Sequence, residues 1–212
     1  MQAQKTLLIY HRGRHGKDIE IEENTLESFE RAIQEGALMV EFDVWTGLRV
    51  AHDPNDNALV PTLPEVLGRI DGRCAVNIEI KSPKALGPTV WVVNDVLARR
   101  IYTPDQIVFS AFHHKTAITM KRRFPELRIG VNNDGVLERP YIDWLASQGI
   151  DNLHLEWANI YMDIEAGCEM RTAVFENNMH IWVWTVNTRD IFDTVVAYGA
   201  EAVFTDNPPL FQ

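Results

Sequence analysis

The feature that most constrains this chain is an alternation kept up from end to end, a short apolar run followed by a longer segment of helical period. It begins with "TLLIYHRG" (6–13) and "NTLESFERAIQEG" (24–36), where Leu26, Phe29, Ala32 and Ile33 recur at helical spacing and Gly36 supplies a stop. Asn24, with Glu27 three residues on, reads as a capping box, and since its loop also borders the barrel mouth a site role comes second. Strand-like runs recur at 38–45, with 48–52 as the outer arm of a hairpin extending it, and at 74–83, 106–112, 127–132, 152–158, 180–187 and 201–205. Helical spacing between them predicts helices over 62–70, 90–100, 114–123, 138–148, 163–178 and 189–198. Strands alternating with helices need right-handed crossovers and a parallel sheet. Eight such units predict one α/β domain over 1–212, an eightfold β/α barrel of the TIM type, its loops short because only about 26 residues serve each unit. A doubly wound open sheet, usually of about five or six strands, would leave two units over.

Composition narrows what such a barrel could serve. With 20 basic and 30 acidic residues the chain carries a formal charge of −10 and no basic run able to track a nucleic-acid backbone. Cys74 and Cys168 stand in apolar contexts without CxxC spacing and read as small core residues of a protein kept in a reducing compartment. The start "MQAQKTLLIY" holds an apolar run too short for a signal peptide or a membrane span, so a cytoplasmic protein without stable membrane insertion is expected. No feature sets an oligomeric state.

The polar residues sit where a barrel keeps its chemistry, at the C-terminal ends of strands. In "NIEIKSP" (77–83), Asn77, Glu79 and Lys81 share one strand face while Ile78 and Ile80 take the other. A covered sheet face carrying a Glu and a Lys needs partners, a metal or a substrate. Glu41 and Asp43 likewise share a face opposite Val40, Phe42 and Val44. Taken singly these acids read as an ordinary polar strand face; converging, three carboxylates repel unless a cation sits between them. An all-oxygen set selects one hard divalent ion, Mg²⁺ or Ca²⁺. His11 and Arg12 close the first run and His52 ends the hairpin arm. Two histidines can exchange protons near neutral pH, and Arg12 and Lys81 supply fixed positive charge for an anionic substrate. Such a set suits phosphoryl transfer on a small molecule.

The ordered series "HRG" (11–13), "ENTLESF" (23–29), "EFDV" (41–44), "HDP" (52–54), "PTLPEVL" (61–67), "NIEIK" (77–81), "WTVN" (184–187) and "TDNP" (205–208) resembles the glycerophosphodiester phosphodiesterase family across nearly the whole chain. The resemblance implies a β/α barrel that hydrolyses glycerophosphodiesters to glycerol 3-phosphate and an alcohol, by way of a cyclic phosphate that water opens. It gives Glu41, Asp43 and Glu79 to the metal, His11 and His52 to acid–base work, and Arg12 and Lys81 to the phosphate. The chain departs from the family between "HD" and "PTL", where only Pro54–Val60 stands in place of an inserted cap, which implies a more open alcohol side. Spider-venom phospholipase D enzymes resemble this uncapped barrel too. A phospholipase D-like activity on lysolipids therefore stands as an alternative, as does a module that binds a phosphorylated ligand without turnover.

Further readings concern the mouth, the core and the surface. Trp184, near the end of its strand, is expected to wall the glycerol pocket and Trp182 to lie in the core. If Leu153, Leu155 and Trp157 face the helices, His154 and Glu156 face the barrel interior, and Glu156 reads as a substrate contact. His113 and His114 read as exposed first-turn residues. Lys5, Arg122 and Arg123 read as solvated surface.

Overall fold

The computed structural model describes residues 6–53 and 59–211. Eight parallel strands close into a ring in chain order: β1 (Leu7–Tyr10), β2 (Met39–Val44), β3 (Ala75–Ile80), β4 (Ile107–Ala111), β5 (Arg128–Asn133), β6 (Asn152–Glu156), β7 (His180–Trp184) and β8 (Ala202–Thr205). Around it run α1 (Leu26–Gln34), α2 (Leu63–Ile70), α3 (Leu86–Ala98), α4 (His114–Arg123), α5 (Arg139–Ser147), α6 (Trp157–Glu165), α7 (Glu169–Glu176) and α8 (Arg189–Tyr198). This is the TIM-type barrel that the alternation predicts.

The strands read as apolar runs because both their faces are covered. Outward residues such as Val40, Phe42, Val76 and Ile78 are fully buried against the helices. Phe42 meets Phe29 of α1 edge to face, ring centroids 5.5 Å apart. Inside the ring a smaller apolar plug of Ile9, Met39, Val108, Trp182, Ala202 and Phe204 fills the lower half. The register of β2 on β3 sets Glu41 beside Asn77 and Asp43 beside Glu79. The polar faces of the two strands thus form one continuous surface at the upper end of the ring.

Several local expectations change. The arm at 48–52 forms only isolated bridges, Val44 with Val50 and Arg49 with Thr62. The capping residue of α1 is Thr25, whose hydroxyl accepts the Ser28 N–H while the Ser28 hydroxyl accepts the Thr25 N–H. Asn24 cannot serve there, because its φ of 56° turns the backbone left-handed and away from the extended conformation of a cap. The helix predicted over 163–178 is two helices, broken where Gly167 and Cys168 take φ of 94° and 64°. Asp163 makes the break favourable: its carboxylate accepts the backbone N–H groups of Met170 and Arg171, capping α7, and the Tyr198 hydroxyl. Strand β6 ends at Glu156, and Trp157 opens α6 instead of extending the strand.

Cys74 is buried and Cys168 half-buried, and both thiols are free. Among the described residues no helix is long and apolar enough to cross a membrane. Met1–Lys5 and Pro54–Ala58, including most of the segment standing in place of a cap, lie outside the described residues.

Candidate active site

The upper rim is assembled by a reversal after β1. Arg12 and Gly13 take φ of 55° and 83°. At Gly13 a Cβ would lie 2.5 Å from Ser28 Oγ and 2.8 Å from the Ser28 carbonyl carbon, so only glycine lets the loop pack on α1. The reversal aims the Arg12 backbone N–H at Glu41 Oε2 (3.1 Å) and turns its guanidinium into the ring, with Nε 3.2 Å from Asp43 Oδ2 and Nη1 about 3 Å from both oxygens of Glu23. Lys81 Nζ lies 2.8 Å from Glu79 Oε1 and 3.3 Å from Asp43 Oδ1. Asn24, freed from capping, donates its amide to Asp43 Oδ2 at 3.0 Å.

Glu41, Asp43 and Glu79 are all buried, and one oxygen from each falls within 4.8 Å of the others. Burial, then the charges of Asp43 and Glu79, raises the Glu41 carboxyl well above the usual carboxylate range. Burial, then Asp43, pushes Glu79 up to about 7. Burial also opposes the charge on Asp43, but Lys81 and Arg12 outweigh it and hold that carboxyl low. Glu41 Oε1 is buried with no hydrogen-bond partner among the described residues. Three hard oxygen donors, two of them destabilised as anions and one with lone pairs that no hydrogen bond engages, fit a divalent cation.

His11 stands beside this cluster, its Nε2 3.8 Å from Glu41 Oε2 and its Nδ1 2.7 Å from Asp206 Oδ1. Asp206 is held in turn by Asn187, whose amide donates to Oδ2 at 2.7 Å and whose carbonyl oxygen accepts the Asp206 backbone N–H at 2.9 Å. Burial would raise the Asp206 carboxyl, yet hydrogen bonds from His11, His15 and Asn187 hold it far below the usual range. A carboxylate on Nδ1 leaves Nε2 as the nitrogen that faces the cavity. His52 lines the same cavity from the exposed rim, and its backbone carbonyl accepts the Trp45 indole N–H at 3.2 Å. Burial and then the charge of Arg12 lower its pKa.

His11, Arg12, Glu41, His52, Glu79 and Lys81 line one cavity of about 150 Å³ that reaches Asn77, Ser110, Asn132 and His154, with Phe112, Trp184 and Phe204 among its walls. Trp184 meets Phe112 edge to face at 5.6 Å and donates its indole N–H to the His154 carbonyl. Trp182 is buried in the inner plug.

The structure therefore brings together His11, Arg12, Glu41, Asp43, His52, Glu79, Lys81 and Trp184, but Glu156 does not line the cavity. It falls on the inward face of β6, yet there the chain turns into α6, and the wall is made by Trp184 opposite it. The sequence assigns no role to Asp206 or Asn187, gives His154 only a place on the inward face of its strand, and ranks for Asn24 a cap, which Thr25 supplies, above the site role that its bond to Asp43 shows. The motifs "TDNP" and "WTVN" were the available signal for the first two. His113 is exposed as expected, but His114 is half-buried between the Tyr141 hydroxyl and the Asn132 carbonyl.

Comparison with known proteins agrees with this geometry. The model of the glycerophosphoryl diester phosphodiesterase family matches residues 11–47 and 46–210. A glycerophosphodiester phosphodiesterase of Caldanaerobacter subterraneus subsp. tengcongensis is 27% identical over 241 residues, spanning 96% of this chain and 95% of the relative. Among solved structures, the glycerophosphodiester phosphodiesterase of Thermotoga maritima superposes with a TM-score of 0.78 at 23% identity, covering 98% of this chain and 97% of that one. A phosphodiesterase of Oleispira antarctica, in complex with its product sn-glycerol-3-phosphate, superposes with a TM-score of 0.76 at 22% identity, covering 95% and 93%. The chain belongs to the glycerophosphoryl diester phosphodiesterase family, whose members are phosphoric diester hydrolases.

Proposed function

We propose that this protein hydrolyses glycerophosphodiesters to glycerol 3-phosphate and an alcohol, with one divalent cation, Mg²⁺ or Ca²⁺, held by Glu41, Asp43 and Glu79. The observation that carries the reading is that Glu41 and Glu79, with Asp43 within 4.8 Å of both, line one cavity together with His11, His52, Arg12 and Lys81. A bound divalent ion would neutralise the acids and draw charge from the phosphate oxygens.

The remaining work falls to the chain's own residues. Arg12 and Lys81 hold the anionic diester and balance charge that builds on its oxygens. One histidine removes the proton of the glyceryl hydroxyl next to the phosphate as that oxygen bonds to phosphorus. The bond from phosphorus to the alcohol breaks, and the other histidine gives the departing oxygen its proton. The resulting cyclic phosphate is opened by water with the two roles exchanged, so each imidazole ends in its starting state. Asp206 orients His11 through both steps. A module that only binds phosphate needs the cations but no carboxylate-oriented histidine, so the His11–Asp206 pair favours turnover. The two free cysteines support a cytoplasmic setting.

The test is a turnover screen of several glycerophosphodiesters with Mg²⁺, Mn²⁺ or Ca²⁺ supplied in parallel and with EDTA. Release of glycerol 3-phosphate only in the presence of a divalent ion is expected. Full activity after chelation and desalting would overturn the metal assignment, and no release under any condition would overturn the reaction.

A further inference from the structure

The seam between β1 and β8 carries a further histidine, to which the reaction as derived above gives no task. His15 stands in the loop after β1, with its side chain 15% exposed. Arg14, itself buried, fixes that loop against the end of α1. Its guanidinium donates to the His15 carbonyl at 2.7 Å and reaches Asp18 Oδ2 at 2.6 Å and Glu35 Oε2 at 3.3 Å. Gly16 then bridges to Ile21, its N–H on the Ile21 carbonyl at 3.0 Å. So held, His15 Nε2 lies 3.2 Å from the His11 carbonyl oxygen and 3.4 Å from Asp206 Oδ1. That carboxylate oxygen is the one 2.7 Å from His11 Nδ1. Both neighbours of Nε2 are acceptors, so this nitrogen carries a hydrogen and donates.

We propose that His15 is a positioning residue for His11, acting through Asp206. The proposal rests on the phosphodiesterase reading for the proton transfer that His11 performs.

Three features support it. First, Asp206 needs holding. Its side chain is 36% exposed, so water competes for its oxygens. Asn187 secures Oδ2 from one side, and the two imidazoles meet on Oδ1. Against burial, which opposes the charge, hydrogen bonds from His11 and then His15 keep the carboxylate ionised. Second, one N–H serves both partners. By donating to the backbone of residue 11 and to the carboxylate that orients its ring, His15 sets the position of each relative to the other, as outer partners of a working imidazole do. Third, His15 acts at one remove from the substrate. The described walls of the substrate cavity include His11 but neither His15 nor Asp206, and His15 lines a neighbouring groove with Lys17, Glu20 and Glu22. Its loss should therefore disturb the chemical step and leave substrate binding alone.

The test is a mutant cycle assayed with glycerophosphocholine at saturating divalent ion. His15→Leu removes the donor and should lower kcat about tenfold, with KM and melting temperature nearly unchanged. His15→Gln, whose amide can reach the same acceptors, should restore kcat to within about threefold of wild type. In an Asp206→Ala background His15→Leu should change kcat by less than about twofold, since groups that act as a unit are not additive. Proton NMR reads the brace without turnover: the downfield His11 Nδ1–H signal, identified by its absence in His11→Asn, should be lost or broadened in His15→Leu and return in His15→Gln. An unchanged kcat in His15→Leu, a raised KM, a collapsed melting temperature, failure of His15→Gln to rescue, or a tenfold effect that persists without Asp206 would each overturn the proposal. If wild type hydrolyses no diester, the predicted NMR pattern retires the reaction and leaves the brace standing, whereas an unaltered His11 signal in His15→Leu overturns the brace as well.

Discussion

His11 Nδ1 lies 2.7 Å from Asp206 Oδ1, which ties the end of the first strand to the residue after the last. The carboxylate fixes which ring nitrogen bears the proton and which faces the cavity. Asp206→Asn offers an amide that can donate as well as accept, and so releases that choice. A loss of about 10- to 100-fold in kcat is expected, with KM and the melting temperature nearly unchanged. Steady-state kinetics together with a thermal melt check it.

The acid cluster and the histidines are expected to separate in function. Glu41→Gln or Glu79→Gln should abolish tight divalent-ion binding in calorimetry, because each removes one of the three carboxylates that converge among the described residues. His11→Ala and His52→Ala should retain the ion and lose turnover by at least about 100-fold, the usual scale of a positioned acid or base. Loss of the ion in the histidine variants would overturn this division.

His154 gives the fold an acid sensitivity of its own. Its folded-state pKa of about 3 lies below the ordinary 6.5, so as the pH falls the unfolded chain takes up the proton first. The stability from burying the neutral ring is therefore fully present above pH 6.5 and is lost toward pH 3, by up to about 1.4 kcal/mol per unit. In urea titrations at pH 7 and pH 5, the stability gap between wild type and His154→Gln should narrow in acid. A constant gap would contradict the assignment.

Phe42 joins stability to the site, for it is fully buried between Glu41 and Asp43 in sequence and packs on Phe29. Phe42→Ala should cost about 3–5 kcal/mol, measured by chemical denaturation. It should also weaken divalent-ion binding, because the carboxylates on either side lose their backing.

What could be read from the chain follows from how far apart the interacting residues lie. The eight strands were legible because both faces of each are covered, which leaves apolar runs between helical periods. The shared faces of Glu41 with Asp43 and of Asn77 with Glu79 follow from strand alternation alone. Asn24 misled because Asn followed three residues later by Glu imitates a cap; its left-handed backbone and its bond to Asp43 depend on the loop before it. The break in 163–178 needed Asp163 to be seen as an internal cap. Glu156 was placed on the right face, but where a strand gives way to a helix is not marked in its alternation. Asp206 could not be assigned to His11, since the two lie 195 residues apart and only the sheet brings them together.

The pairing of β1 with β8 has a last consequence. The acid cluster sits on adjacent strands that are neighbours early in the chain, whereas the His11–Asp206 contact spans the seam where the ring is sealed. A nascent or partly unravelled sheet open at that seam keeps its ion-holding acids and lacks an oriented imidazole. During refolding, recovery of hydrolysis therefore reports the sealing of the cylinder, and ion uptake reports an earlier stage.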